Sequence, residues 1–377
     1  LQSHSAWYIE NTLEELDAPR EWFFDKTNNI LYYMPNSTTA SGTQVNVAPP
    51  SGDFVLVEDK VKILFNITGT QAKPVTNVSI NGLTLRDTPY TYMDPHGFPS
   101  GGDWALQPQG AVTIRGTVNA SIRNNLFTRL DGNALFIGGY HRGLVVDNNE
   151  FSFIGDSAMA AWGETSNNLN ANGTVSIPYG YGPDGRNGDQ PRGCTISNNV
   201  GRELGLWQKQ SSLWTQSMTA QTTFKGNVFF NGPRAAFNFA DGFGGGNELT
   251  NNLLINACRE TGDHGPINGW DRVPYITEVA SPGKPSIVPA TNEIHHNFFM
   301  GTYSTYTNVD SDDGSSYWNV HHNVLAYGSE GLKSDFGGHD DVYDSNVLAY
   351  VGNCVTDFMY SGSSNGVGEN DAFRNNS

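Results

Sequence analysis

Residues 120–127 read "ASIRNNLF" and residues 144–151 read "LVVDNNEF". Each is a short alternating segment that reaches a polar pair ending in asparagine and then resumes with apolar side chains. The pattern returns in "CTISNNVG" (194–201), "TTFKGNVFF" (222–230), "NELTNNLLI" (247–255), "NEIHHNFFM" (292–300), "WNVHHNVLA" (318–326) and "DVYDSNVLA" (341–349). The pair-closing residues are Asn125, Asn149, Asn199, Asn227, Asn252, Asn297, Asn323 and Asn346, at spacings of 24, 50, 28, 25, 45, 26 and 23. An earlier "VSINGLTL" (78–85) has the look of one more turn.

A period near 25 residues with two-residue alternation implies stacked parallel strands, each coil covering the next. Asparagine suits the bend between strands because it tolerates left-handed backbone. Its amide can also bond to the amides of the coils above and below. Alternating Ile, Val, Leu and Phe then fill the interior. The leucine consensus of a horseshoe repeat, which shares this period, is absent. The expected fold is all-β, a right-handed parallel β-helix over residues 51–377. Residues 1–50 do not follow the repeat. "REWFFDKTNNILYYMPN" (20–36) reads as a hairpin with an Asn-rich turn, a flanking β element or cap.

The two long spacings each equal one coil plus an insertion. Those insertions, about 164–192 and 266–292, begin some 15 residues after their reference asparagines, so both are expected at one edge of the solenoid. A third, about 89–110, begins earlier in its coil. Insertions that share an edge wall a groove.

Bulk composition narrows the partners. Lys+Arg 21 against Asp+Glu 38 gives a formal charge of −17, a field that repels nucleic acid and anionic membrane and favours a neutral ligand. No apolar run is long enough to span a bilayer. Three cysteines, Cys194, Cys258 and Cys354, do not make a disulfide framework, and their pairing is left open. The sequons at Asn36, Asn66, Asn77, Asn119, Asn172 and Asn375 point weakly to a secreted glycoprotein. The start at Leu1, without a methionine or a signal-like segment, reads as a processed or excised part of a longer product.

Acidic residues concentrate late in the chain. Counted from each reference asparagine, Asp241 falls at +14, Asp263 at +11, Asp310, Asp312 and Asp313 at +13, +15 and +16, and Asp335 at +12. Similar offsets on successive coils, about 4.8 Å apart, would stack these acids into one cleft. Carboxyl groups one coil apart approach the ~5–5.5 Å of retaining glycosidases, and two coils apart the ~6.5–9.5 Å of inverting ones. Crowding raises the pKa of one member and supplies a proton donor near neutrality.

The segment "RETGDHGPINGWDR" (259–272) gathers the most chemistry. The catalytic candidates are Asp263, Asp271, Asp312 and Asp313. The substrate-binding candidates are Asp241, His264, Trp270, Arg272, Lys333 and His339, with Trp270 suited to stack on a sugar ring. A structural reading stands beside this one: Asp–Arg and Asp–His pairs brace a long loop, and Trp270 plugs it. Asp241, in "ADGFGGGN", reads more simply as a turn residue. The "HH" pairs at 295–296 and 321–322 read as strand-end turns rather than a metal site, and no zinc-type spacing, phosphate loop or nucleophile elbow is present.

Three segments carry a family resemblance: "EELDAPREWFFDKTNNILYYMP", "GPRAAFNFADGFGGGNELTNNLLINACRETGDHGPINGWDR" and "DSDDGSSYWNVHHNVL". They resemble carbohydrate-active proteins of the pectate-lyase-like β-helix superfamily, and most closely the α-L-fucosidase/xylanase family of glycoside hydrolases. The resemblance implies a secreted enzyme that cleaves a plant, algal or microbial polysaccharide with paired acids in the groove, the matching positions being Asp263, Asp271, Arg272, Asp312 and Asp313. It implies no cofactor. A second reading is a polysaccharide lyase whose acids hold calcium and whose base is Arg272, Arg259 or Lys333. A third is a non-catalytic glycan-binding or structural solenoid of an extracellular assembly.

Overall fold

The computed structural model describes residues 9–35, 60–97, 107–163, 190–240, 244–272, 274–276, 288–300, 306–335, 337–359 and 370–377. The chain divides into two units, Leu1–Leu56 and Val57–Ser377. In the first, Trp22–Asp25 pairs antiparallel with Ile30–Tyr33, Asp25 opposite Ile30. Asp25 Oδ1 accepts the N–H groups of Thr27 at 2.9 Å and Asn28 at 3.0 Å, and Asn29 takes φ 56° to complete the turn.

The second unit is a parallel β-helix with three faces. Face one runs from Phe65–Thr68 through Val112–Val118, Leu135–Arg142, Met159–Trp162, Trp214–Ser217, Phe237–Phe239 and Ile267–Gly269 to Val309–Ser311. Face two is a ten-stranded sheet from Ser79–Asn81 to Ala372–Arg374, built mostly of three-residue strands. Face three runs from Thr84–Thr88 to Phe298–Met300. In the last coils Val324–Asp335 and Val347–Met359 continue from face three into face one, with a register shift between Gly328 and Glu330.

The repeat follows the asparagines, which divide the work of the bend between two residues. The first member of each pair takes left-handed φ: Asn124, Asn148, Asn198, Gly226, Asn251, His296, His322 and Ser345 lie between 54° and 67°. The second member is buried and forms the ladder. Asn227, for example, donates from N at 2.9 Å and from Nδ2 at 3.0 Å to Asn252 Oδ1, and accepts both donors of Asn199 at 3.0 Å. The chain of amides continues from Asn125 to Asn376.

The core follows from alternation within strands. Val112, Leu135, Met159, Trp214, Phe237, Ile267, Val309 and Leu332 stack inward in one file, all fully buried. Aromatic contacts tie the strands together, Trp214–Phe224 edge-on at 5.0 Å between faces one and two and Phe127–Phe151 stacked at 4.7 Å between neighbouring coils. Such pairs add about 0.5–1.5 kcal/mol each beyond area burial. The aligned residue on the next strand position faces outward, and face one turns its outward file toward the site.

Two insertions leave face one at the C-terminal ends of Met159–Trp162 and Ile267–Gly269, and the third enters ahead of Val112–Val118. The insertion expected over about 266–292 is shorter at its start, because Ile267–Gly269 is a strand of the coil proper, paired with Phe237–Phe239 and Val309–Ser311. Residues 98–106, 164–189 and 277–287 lie outside the described residues. Among the described residues no helix is long and apolar enough to cross a membrane.

Candidate active site

Short strands decide which side chains meet. "FNF" (237–239), "ING" (267–269), "VDS" (309–311) and "LKS" (332–334) lie in register on face one. Their first residues enter the core, so period-two alternation turns the middle ones outward. The outward file is therefore Thr215, Asn238, Asn268, Asp310 and Lys333, one coil apart at each step. It faces away from the core yet is closed over, and all five residues are buried. Tyr306 contributes to the cover, its ring centroid 5.9 Å from Lys333 Nζ.

Three carboxylates converge on one ammonium. Lys333 Nζ donates to Asp312 Oδ1 at 2.8 Å and lies 3.0 Å from both Asp310 Oδ1 and Asp335 Oδ2. Only the Asp312 contact has hydrogen-bond angles, and the other two are ion pairs by distance. Asp310 Oδ2 accepts from Asn268 Nδ2 at 2.8 Å, and Asp335 Oδ1 accepts the N–H of Asp313 at 2.8 Å. Asp310 and Asp335 are fully buried, whereas Asp312 keeps 23% of its side chain exposed and is the acid that reaches solvent.

One cation cannot neutralise three acids, so the cluster retains protons. Burial pushes Asp310 up to about 8 against the attraction of Lys333, and Asp312 adds to the rise. Asp335 is pushed up to about 6 by burial, again against Lys333. Burial alone would depress Lys333, but Asp310, Asp312 and Asp335 together hold it above the ordinary lysine value. His264 stands at the edge, with Nδ1 3.3 Å from Arg234 Nη2 and 3.9 Å from Asp310 Oδ2. Burial, then the charges of Arg234 and Lys333, push it down to about 3, so it is neutral. Its Nδ1 accepts from the guanidinium, and the proton sits on Nε2.

The file also holds polar atoms without partners. Asn238 Oδ1 and Nδ2, Asn268 Oδ1 and Thr215 Oγ1 are buried and make no hydrogen bond. Each such atom costs about 1–3 kcal/mol until a ligand or water satisfies it. They are carried by three residues of one outward file that leads to the charged centre.

The residues singled out from sequence scatter around this centre. Lys333 is its hub and Asp312 its solvent-facing acid, with His264 beside them. Asp263 does not stack on Asp312. The pairing of Ile267 with Val309 puts Asp263 seven positions earlier along the strand direction, exposed, with φ 71°. Asp271 is buried at the opposite end, where its Oδ2 accepts from Asn292 Nδ2 at 3.2 Å and its carbonyl accepts from Ser316 N at 3.3 Å. Asp313 is exposed at φ 49° and meets the cluster through its backbone N–H. Trp270 is buried against Ala240 in a small cluster apart from the main core, so its ring is packed rather than open. Arg272 is exposed, its N–H bonded to Trp270 O at 2.9 Å. His339 lies at the next turn, with Nδ1 2.7 Å from Asp340 Oδ2 and its ring edge-on to Tyr317. Asp241 lies outside the described residues.

Asp310 and Asp335 were counted among the late acids but not selected. For Asp310 the signal is the polar residue at the centre of its three-residue strand, and Asp335 lies two residues past the equivalent Lys333, at the end of Val324–Asp335. Constant offsets hid it, because the turns before these strands differ in length, 231–236 in one coil against 256–266 in the next.

Comparisons with known proteins agree with this architecture. Residues 110–272 match the family described as "Right handed beta helix region", which supplies the hand. No curated protein matches the chain by sequence. A solved structure described as a glycoside hydrolase superposes with TM-score 0.57 at 15% identity, covering 96% of this chain and 58% of its own. The catalytic unit of a GH87 α-1,3-glucanase from Streptomyces thermodiastaticus gives TM-score 0.49 at 12% identity, covering 80% and 49%. PfbA, a surface adhesin of Streptococcus pneumoniae, gives 0.40 at 14% identity, covering 84% and 73%. The protein is a right-handed parallel β-helix. It spans little more than half the length of the glycoside hydrolase it resembles.

Proposed function

We propose that the protein is a secreted, glycoside-hydrolase-like β-helix that acts on a neutral or weakly charged polysaccharide at the Asp310–Asp312–Asp335–Lys333 centre. The observation that carries this reading is the outward file: acids that must share protons, continued by unpartnered Thr215, Asn238 and Asn268. Asp310 holds a proton near neutral pH, and Asp312 is the carboxylate that reaches solvent. Both grip the same ammonium, so their oxygens lie within about 6 Å of each other. That leaves little room for the intervening water of an inverting mechanism, which needs ~6.5–9.5 Å between carboxyl groups, and it favours a retaining one. The described sequon residues Asn66, Asn77, Asn119 and Asn375 are all exposed, in keeping with an extracellular protein.

The lyase reading loses Lys333 from its three candidate bases, because the surrounding acids hold it charged, and the place those acids would offer calcium is filled by its ammonium. The non-catalytic reading keeps one observation in its favour: Asp310, Asp335 and Lys333 are closed to solvent. Incubation with a panel of neutral polysaccharides, following new reducing ends and binding together, separates the two. Cleavage that Asp312→Asn abolishes while binding persists supports the hydrolase. Binding without cleavage, equal in parent and variant, replaces it with a glycan-binding solenoid, and neither activity overturns both.

A further inference from the structure

The bend between faces two and three carries histidine pairs in two successive coils. His295 Nδ1 lies 2.9 Å from His296 Nδ1, and one coil on His321 Nδ1 lies 2.9 Å from His322 Nδ1. The rings repeat from coil to coil, His295 stacked on His321 at 4.9 Å and His296 on His322 at 5.4 Å. His296 and His322 are exposed, and His295 and His321 are half-buried beside them. No group of three or more His, Cys, Asp or Glu among the described residues is set to hold a metal ion, so any site here rests on two nitrogens per coil.

Carboxylates fix the tautomers. His295 Nε2 faces Glu248 Oε1 at 3.2 Å, and His321 Nε2 faces Glu293 Oε2 at 3.3 Å. A carboxylate only accepts, so each Nε2 carries the hydrogen and each Nδ1 turns a lone pair toward its neighbour. Glu293 Oε2 is itself held by Asn319 Nδ2 at 2.7 Å. A carboxylate that orients an imidazole through one nitrogen and leaves a lone pair on the other is the arrangement found behind metal-bound histidines. Thr250 Oγ1, 3.2 Å from His295 Nδ1, is the remaining partner on the first pair.

We infer that each His–His pair is a two-nitrogen site for a divalent transition-metal ion of the copper or nickel class. Two nitrogens about 2.9 Å apart, each roughly 2.0–2.1 Å from an ion, subtend about a right angle. That is the cis angle of square-planar or octahedral coordination, preferred by Cu²⁺ and Ni²⁺. Tetrahedral zinc would need the nitrogens roughly 3.3 Å apart at the same bond length. The hydrogen between the facing Nδ1 atoms belongs to His296 or His322, and it moves through solvent to the Nε2 of the same ring when the ion enters, so each histidine binds as a neutral imidazole; water completes the coordination sphere. These pairs sit on a different edge of the coil from the acid centre, so this inference stands apart from the proposed function.

The test is a titration of the full chain with copper sulfate, followed by visible absorption and by nitrogen hyperfine structure in the electron spin resonance spectrum. The comparison is the His296→Asn/His322→Asn double variant. Asparagine is the conservative choice, since Asn124, Asn148, Asn198 and Asn251 hold the same left-handed position in other coils. The parent should show nitrogen-ligated copper, at no more than two ions per chain, and bind zinc more weakly. The double variant should lose this copper while keeping its fold, and Glu248→Gln with Glu293→Gln should weaken it about tenfold. Copper binding that the double variant retains, or a parent without nitrogen-ligated copper, overturns the inference.

Discussion

At the scale of single residues, Lys333 determines whether the acid centre is tolerable. Asp310 and Asp335 are fully buried, and without the ammonium they would face each other and Asp312 in a low-dielectric enclosure. Removing one partner of a buried ion pair costs about 3–5 kcal/mol, mostly because the remaining charge is stranded. Lys333→Met should therefore destabilise by that order at pH 8. At pH 5 the loss should shrink, because the abandoned carboxyls take up protons and cease to repel. Urea unfolding at both pH values measures the difference. Equal losses would mean that Lys333 acts by packing alone. None of this was legible in the composition, which shows Lys333 only as one of 21 basic residues. Its role depends on three strands being aligned, and alignment is a property of turn length that residue identities do not declare.

At the scale of the coil, the asparagine ladder was the most readable feature, because its physics is local. A bend that needs left-handed backbone and a stack that needs an amide both select residues visible in the sequence. Trp270 shows the opposite case: its aromatic ring was visible, but whether that ring lies open or packed against Ala240 depends on the chain folding back over face one. The ladder also makes a graded prediction. Asn227→Ala strands the donors of Asn199 and the carbonyl of Ile196, while Asn252 Oδ1 keeps only the backbone N–H of residue 227. At about 1–3 kcal/mol for each orphaned group, partly relieved by relaxation, the cost should be several kcal/mol. Asn125→Ala strands fewer groups, because its Oδ1 accepts only from Leu83 N, at 3.0 Å, and it should cost distinctly less. Thermal melts of the two variants give the ranking, and equal melting points would show that the ladder is ornamental to stability.

For the whole molecule, buried titrating groups set how stability depends on pH. Burial raises five carboxyls: Asp310 to about 8, Asp156 to about 7 and Asp335 to about 6, with Asp341 well above and Asp371 above the ordinary aspartate value. Each binds a proton in the folded state that the unfolded chain, at about 3.9, has released, so each lowers stability as pH rises toward its folded value. Burial also depresses His141 to about 4 and His264 to about 3. The unfolded chain binds those protons below about 6.5 and the folded one does not, so the histidines lower stability as pH falls below that value. The two sets oppose each other between about 4 and 6.5, and above 6.5 only the acids act. The urea midpoint should therefore decline from pH 6.5 to 8.5. Asp156 allows one contribution to be isolated. Its Oδ2 accepts from Thr91 Oγ1 at 3.2 Å, an acceptor that asparagine keeps, while its Oδ1 has no partner. Asp156→Asn should match the parent at pH 4 and exceed it by on the order of 2–4 kcal/mol at pH 8, since every tenfold weakening of the acid on folding costs about 1.4 kcal/mol once the group must ionise. A variant whose stability parallels that of the parent across this range would mean that Asp156 ionises without cost and that the decline arises elsewhere.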